Sequence, residues 1–214
     1  MVGALTPATR AAEHLLRAPG HFAWSTVTLL GLVVYVYAVE IERSNWNAVL
    51  AGLAFWLTDW VNEVANALVL HFTKHAAIWT VTGDTSYLIL IGLTVEISLL
   101  FLISGVVFVK LLPPDRNVRI LGLPNRWALA LGLSIFSVAI EVLLREVGVF
   151  HWAYWWWNIQ SLPVIVVFGY LTFFVVAFLV YDLPSRRAQL RVVGALTALD
   201  VAGLVVFGPV LGWI

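Results

Sequence analysis

Residues 47–70 read NAVLAGLAFWLTDWVNEVANALVL, an apolar run interrupted by Asp59, Asn62, Glu63 and Asn66. A hydrocarbon core of ~30 Å needs roughly 20 such residues in an α-helix, so the run is long enough to span one. Its four polar residues fall at spacings of three and four and form one stripe along a helix face. A charged side chain at a bilayer centre costs ~2.5–3.5 kcal/mol on insertion scales, so such a stripe belongs against protein or a water-filled cavity. The reading is a membrane helix with a polar inner face.

Five further apolar runs extend the pattern, giving spans near 23–41, 47–70, 86–110, 127–149, 162–181 and 190–213. The expected fold is therefore all-α: a polytopic integral membrane bundle of six transmembrane helices, or seven if one is concealed. Residues 1–22 form an N-terminal interfacial segment, amphipathic over 5–18, and 23–214 a single transmembrane domain. Continuous rather than alternating apolar runs argue against an outer-membrane barrel and make strands improbable. Pro113-Pro114-Asp115 and Asp182-Leu183-Pro184-Ser185 supply breakers between spans.

Composition agrees. Of 214 residues, 62% are hydrophobic and 11% charged, whereas soluble domains carry about 25% charge. Net charge is zero with no long basic run, which excludes a nucleic-acid partner. Cysteine is absent, removing disulfides, thiolate nucleophiles and Cys-ligated clusters. Arg10 and Arg17 precede the run Trp24–Val39 like a signal peptide, but no small-residue cleavage site follows, so it reads as a retained helix. With six spans, one side holds Arg43, Lys110, Arg116, Arg119, Arg126, Arg186, Arg187 and Arg191. The other holds only Arg10, Arg17, Lys74 and Arg145, which predicts a multi-pass protein of the cell membrane with both termini outside the cytoplasm.

Other intramembrane acids join the stripe. Glu141 and Arg145 are one turn apart in an orientation suited to an ion pair, with Arg145 alternatively a fork for an anionic head group. Glu96 and Asp200 lie near the centres of their runs. By depth, Glu63 and Arg145 sit towards the outer face and Glu96, Glu141 and Asp200 near the midplane: a funnel ending in acids. Carboxyls at i and i+4 repel when both are ionised, and one that keeps its proton serves as general acid or proton carrier. The block His151-Trp152-Ala153-Tyr154-Trp155-Trp156-Trp157-Asn158 reads as an interfacial belt, or as a cavity wall able to stabilise a cation. His71 and His75 have a metal-ligand spacing, but the residues between them read as a helix end, and no metal or cofactor is expected.

Two short motifs carry a family resemblance. Trp60-Val61-Asn62-Glu63 on the second helix and Leu199-Asp200-Val201-Ala202-Gly203 on the last resemble those of the small integral-membrane terpene cyclases of indole-diterpene and meroterpenoid pathways. The resemblance implies that Glu63 and Asp200 protonate an epoxide or alkene to start cyclisation. That family has seven helices rather than six, and the Trp-rich block and Glu96 have no counterpart in it.

The expectation is a membrane-embedded enzyme acting on an apolar isoprenoid or lipid by protonation, cyclisation or isomerisation. Glu63 or Asp59 would donate the proton, and Glu141, Glu96 or Asp200 would act as base or cation stabiliser. Asn62, Asn66, Arg145, Trp60, Trp152, Tyr154 and Trp156 would contact substrate. Its partners would be the bilayer and an apolar small molecule, with homo-oligomerisation left open. The alternatives are a proton-coupled transporter using the same acids as a relay, against which no internal repeat is visible, and a non-catalytic subunit of a larger membrane complex.

Overall fold

The computed structural model describes residues 4–18 and 22–214, so the ends of the N-terminal interfacial segment, 1–3 and 19–21, lie outside the described residues. Helix α1 (Pro7–Leu15) opens on Thr6, whose hydroxyl accepts from the Thr9 amide at 3.2 Å, with Pro7 in the first turn. Then come α2 (Trp24–Glu42) and the 28-residue α3 (Trp46–Thr73), which Lys74 ends in the left-handed region. Short β1 (Trp79–Val81), β2 (Leu88–Leu90) and β3 (Leu93–Thr94) lead into α4 (Val95–Val109). A small β4–β5 hairpin (Arg119–Ile120, Leu123–Pro124) precedes α5 (Asn125–Glu146), and β6 (Phe150–Trp152) follows it. The long helical segments α6 (Ile159–Tyr181) and α7 (Arg186–Val210) complete the chain.

α3 is the axis, packed against α4, α6 and α7, while α2 lies on α4 and α5 on α6. Small residues allow the closest approach. A Cβ on Gly105 of α4 would lie 2.6 Å from the Gly52 carbonyl oxygen of α3, so the two backbones touch where neither carries a side chain. Beside this contact, buried Phe55, Phe173, Phe174 and Phe178 fill the core.

Among the described residues, four helices are long and apolar enough to cross a membrane: α2, α5, α6 and α7. α3 has the length, but its polar stripe lowers its hydropathy. α4 departs from the expected 86–110 span. Its first third is the β2–β3 hairpin, and the remaining 15 residues make a helix of about 22 Å. Gly92 turns that hairpin where no Cβ fits, since one would lie 2.5 Å from the Trp79 ring. Strands, improbable from the sequence, thus occur as three two-stranded ribbons, β1–β6, β2–β3 and β4–β5. All are too short to show an alternating pattern. The first two gather at one end with α1 and most of the tryptophans; there the Thr6 amide donates to the His75 carbonyl and the Arg17 amide to Leu88.

The opposite, Arg-rich end is tied by Arg126, which grips Asp182 with Nε (2.9 Å) and Nη2 (3.0 Å) and also donates to the Pro113 carbonyl. Such a two-pronged pair is geometrically specific, and hydrogen bonds to charged groups contribute about 1.5–3 kcal/mol. Asp182→Asn should therefore lower the thermal midpoint in detergent. An unchanged midpoint would show that the pair contributes nothing.

Two helices carry π-type turns. In α7 the segment Val206–Val210 contains Pro209, which cannot donate to the helix ladder. In α6 the segment Ile165–Leu171 has no proline, and its widened turn presents Gly169 and Tyr170 to the interior.

Candidate functional site

Periodicity alone puts Asp59 and Glu63 on one face of α3, and the fold sends that face into a cavity of about 240 Å³. Glu141 of α5 reaches the same cavity from the opposite side. All three carboxyls are buried, as is Asp200 on α7, which faces Asp59 closely enough for their charges to interact. Asp59 Oδ2, Glu63 Oε2 and both Asp200 oxygens have no hydrogen-bond partner among the described residues. Buried polar atoms are normally satisfied, and each exception calls for an explanation.

The β1–β6 ribbon supplies two of the site's hydrogen-bond donors. Trp79 and Trp152 are directly opposed in its register. Trp79 Nε1 donates to Glu63 Oε1 at 2.8 Å, and Trp152 Nε1 donates to Glu141 Oε1. One clasp of two tryptophans therefore holds two acids from two helices. Asn66 fixes the clasp from below: its Oδ1 accepts from the amides of Ile78 (2.7 Å) and Trp79 (3.2 Å), and its Nδ2 donates to the Trp79 carbonyl (2.9 Å).

The remaining wall is almost all apolar. Phe55, Phe101, Phe108 and Phe173 line the end away from the clasp, Trp157 lies against Trp79, and Tyr170 stands beside Glu141. Negative ring faces beside fixed carboxyls suit a developing positive charge, and a cation on such rings gains ~2 kcal/mol or more when desolvated. Among the described residues, no arginine, lysine or histidine lines the cavity.

Several sequence expectations need correction. Glu96 does not join the acids. It lies in the first turn of α4, because the preceding apolar residues form the hairpin, and it accepts from the hydroxyls of Thr26 (2.8 Å) and Thr85 and from the Ser86 amide (2.8 Å). There it pins the start of α2. Glu141 sits five residues from the end of α5 rather than at mid-depth. Arg145 does not pair with it: the guanidinium bonds Glu146 at 2.7 Å and stacks over Trp152 at 5.4 Å, leaving Glu141 to the indole.

Tyr154 lies outside the cavity, its hydroxyl donating to the Ala76 carbonyl at 2.9 Å, and Trp156 stacks on it. Trp60, half-buried, meets Trp56 edge-on, and Asn62 forms no hydrogen bond among the described residues. Asn66 positions Trp79 rather than facing the cavity. His71 and His75 diverge: His71 stacks on Trp213, and His75 bonds the Ala4 carbonyl at 2.8 Å.

Trp157 is the member of the aromatic block that lines the cavity, and Trp79 and Tyr170 join the site from outside the residues to which the sequence points. For Trp79 a signal existed: Ile78-Trp79-Thr80-Val81-Thr82 before Gly83-Asp84 is a run of strand formers closed by turn residues.

The chain is 47% identical over 209 residues to a protein of Archaeoglobus fulgidus described as an uncharacterized protein, covering 98% of this chain and 99% of the relative. A second, shorter protein of the same organism with the same description is 44% identical over 56 residues, 26% of this chain and 100% of that protein. No solved structure shows a significant match. Residues 6–209 match a family described as an uncharacterized membrane protein family, and the chain belongs to that family of membrane proteins.

Proposed function

We propose that this protein is a membrane-embedded enzyme that carries out acid–base chemistry on an apolar isoprenoid or lipid held in the aromatic cavity. The observation that carries the reading is the convergence of Asp59, Glu63 and Glu141, from two helices, on one cavity walled by aromatic rings and lacking any basic side chain. In this reading six helices span the cell membrane, and the Arg-rich end faces the cytoplasm. That places the acids and the tryptophan clasp towards the outside.

Glu63 donates the proton. Its Oε1 is held by the Trp79 indole, and its free Oε2 is the atom available to substrate. Transfer to an alkene carbon or epoxide oxygen forms a C–H or O–H bond, leaves the Glu63 carboxylate and creates a carbocation. The rings of Trp157, Tyr170 and the phenylalanines stabilise that cation while water is kept away. Glu141, across the cavity, then takes a proton from an adjacent carbon and closes the double bond. One proton enters and one leaves, so the product is an isomer or a ring. The proton held by Glu141 then passes back to the Glu63 carboxylate by way of Asp59, which lines the same cavity, and the starting state is restored. General acid–base participation of this kind contributes typically 10²–10⁴-fold.

Glu63→Gln keeps the shape and the indole contact but has no proton to give. Lipid extracts of host membranes producing the wild-type chain should contain a product absent from those producing Glu63→Gln at equal levels of folded protein. The same product with the variant would overturn the assignment. Proton-coupled transport rests on Asp200, whose unpartnered carboxyl continues the line of acids beyond the cavity. Proton flux into liposomes that disappears with Asp200→Asn while product formation persists would favour it.

A further inference from the structure

We propose that the cavity is loaded sideways from the bilayer, through a gap between α4 and α5, by a linear hydrocarbon chain whose polar end is uncharged. This deepens the reading of the cavity as a substrate site and specifies its route and ligand class. The gap is visible in the packing. α4 leans on α2 and α3, α5 leans on α6, and α4 and α5 share no extended interface among the described residues. Leu100 of α4 and Ile140 and Leu144 of α5 line the cavity, yet they are 47%, 44% and 37% exposed on the outer surface. A side chain that belongs both to a cavity wall and to the apolar outside of a membrane protein marks the rim of an opening.

The opening lies at lipid depth. Leu100 is about 8 Å along α4 from its clasp end and Ile140 about 9 Å along α5 from its own, at a rise of 1.5 Å per residue. The residues of α4 that face the cavity, Ile97 to Phe108, extend it over about 16 Å in the same measure. That is an elongated space, suited to a chain lying along the helix.

Charge decides the head. An anionic phosphate or carboxylate entering here would leave water for a wall with three acids and no cation, and an unpaired buried charge is far costlier than an unpaired hydroxyl. Ser104 on α4 and Ser137 on α5, each about 14 Å from the clasp end of its helix, offer hydroxyls to a neutral polar group from both sides of the gap. Neither can compensate an anion. A hydroxyl, ether or carbonyl end fits the lining; a diphosphate does not.

The probe is a long straight-chain alcohol bearing a mid-chain diazirine, incorporated with the full-length protein in phosphatidylcholine vesicles, and its comparator is the phosphate monoester of the same alcohol. After irradiation, mass spectrometry should place the alcohol's label on cavity residues such as Phe101, Phe108 and Phe173. The phosphate should label only lipid-facing positions. Leu144→Trp and Ile140→Trp should each reduce the cavity label severalfold. Leu143→Trp, on the same helix but lipid-facing and outside the cavity lining, should leave it intact. Cavity labelling unaffected by both rim variants would overturn the route, and equal cavity labelling by the phosphate would overturn the ligand class. The readout is entry, so a turnover-neutral Glu63→Gln would refute the enzyme while leaving the portal standing.

Discussion

Asn66→Ala should destabilise the protein by about 2–4 kcal/mol, because one fully buried side chain satisfies three partly buried backbone groups at once. Asn66 is fully buried, and alanine leaves the Ile78 and Trp79 amides and the Trp79 carbonyl without their partner. Each buried group left unsatisfied costs about 1–3 kcal/mol, and the three share one side chain, so their costs overlap. For a chain of this length the loss corresponds to a thermal midpoint lower by roughly 10 °C. Trp79 is then free to leave Glu63, so the indole fluorescence should change along with the midpoint. Asn62→Ala, four residues earlier and forming no hydrogen bond among the described residues, should change the stability by no more than about 0.5 kcal/mol. Equal effects of the two would show that Asn66 does not hold the clasp.

Gly105→Val should prevent α3 and α4 from meeting. The first added carbon would lie 2.6 Å from the Gly52 carbonyl oxygen and 2.9 Å from its Cα, and these backbone atoms cannot turn aside as a side chain can. Overpacking costs typically 1–3 kcal/mol and more where backbone must move, so a cost at or above the top of that range is expected. The phenylalanine wall of the cavity shifts with it, since Phe101 and Phe108 flank Gly105 on α4. Gly132→Val is the matched control: a Cβ there meets nothing within 4 Å. The measurement is the yield of monodisperse protein after extraction, expected to collapse for Gly105→Val and to hold for Gly132→Val. Similar yields would mean the helices adjust to the added side chain.

The stripe on α3 was readable because it is local. Helical period alone puts Asp59 and Glu63 on one face, and the cost of burying them selects the interior. The partners of those acids were not readable. Trp79 and Trp152 come together only because β1 pairs with a strand about 70 residues later, and no spacing in the chain announces that pairing. The hairpin at Leu88–Thr94 is concealed in the sequence because its apolar residues satisfy a helix criterion as well as a strand one, with Gly92 its one mark, and the same ambiguity places Glu96 at mid-span instead of in the first turn of α4. Arg145 was assigned to Glu141 by a rule for exposed helix pairs, but here the indole of Trp152 reaches the acid first.

The tryptophan clasp also sets an order of events during biogenesis. Its first strand, β1, leaves the ribosome long before its second, β6, which emerges only after α5 has been made. Until then Asn66 alone holds Trp79 beside Glu63, and Glu141 waits for the indole that β6 will bring. Pairing over so long a chain separation is intrinsically slow. A nascent chain that stops before Phe150 therefore holds half a clasp, with the Glu141 carboxyl buried without the indole that later caps it.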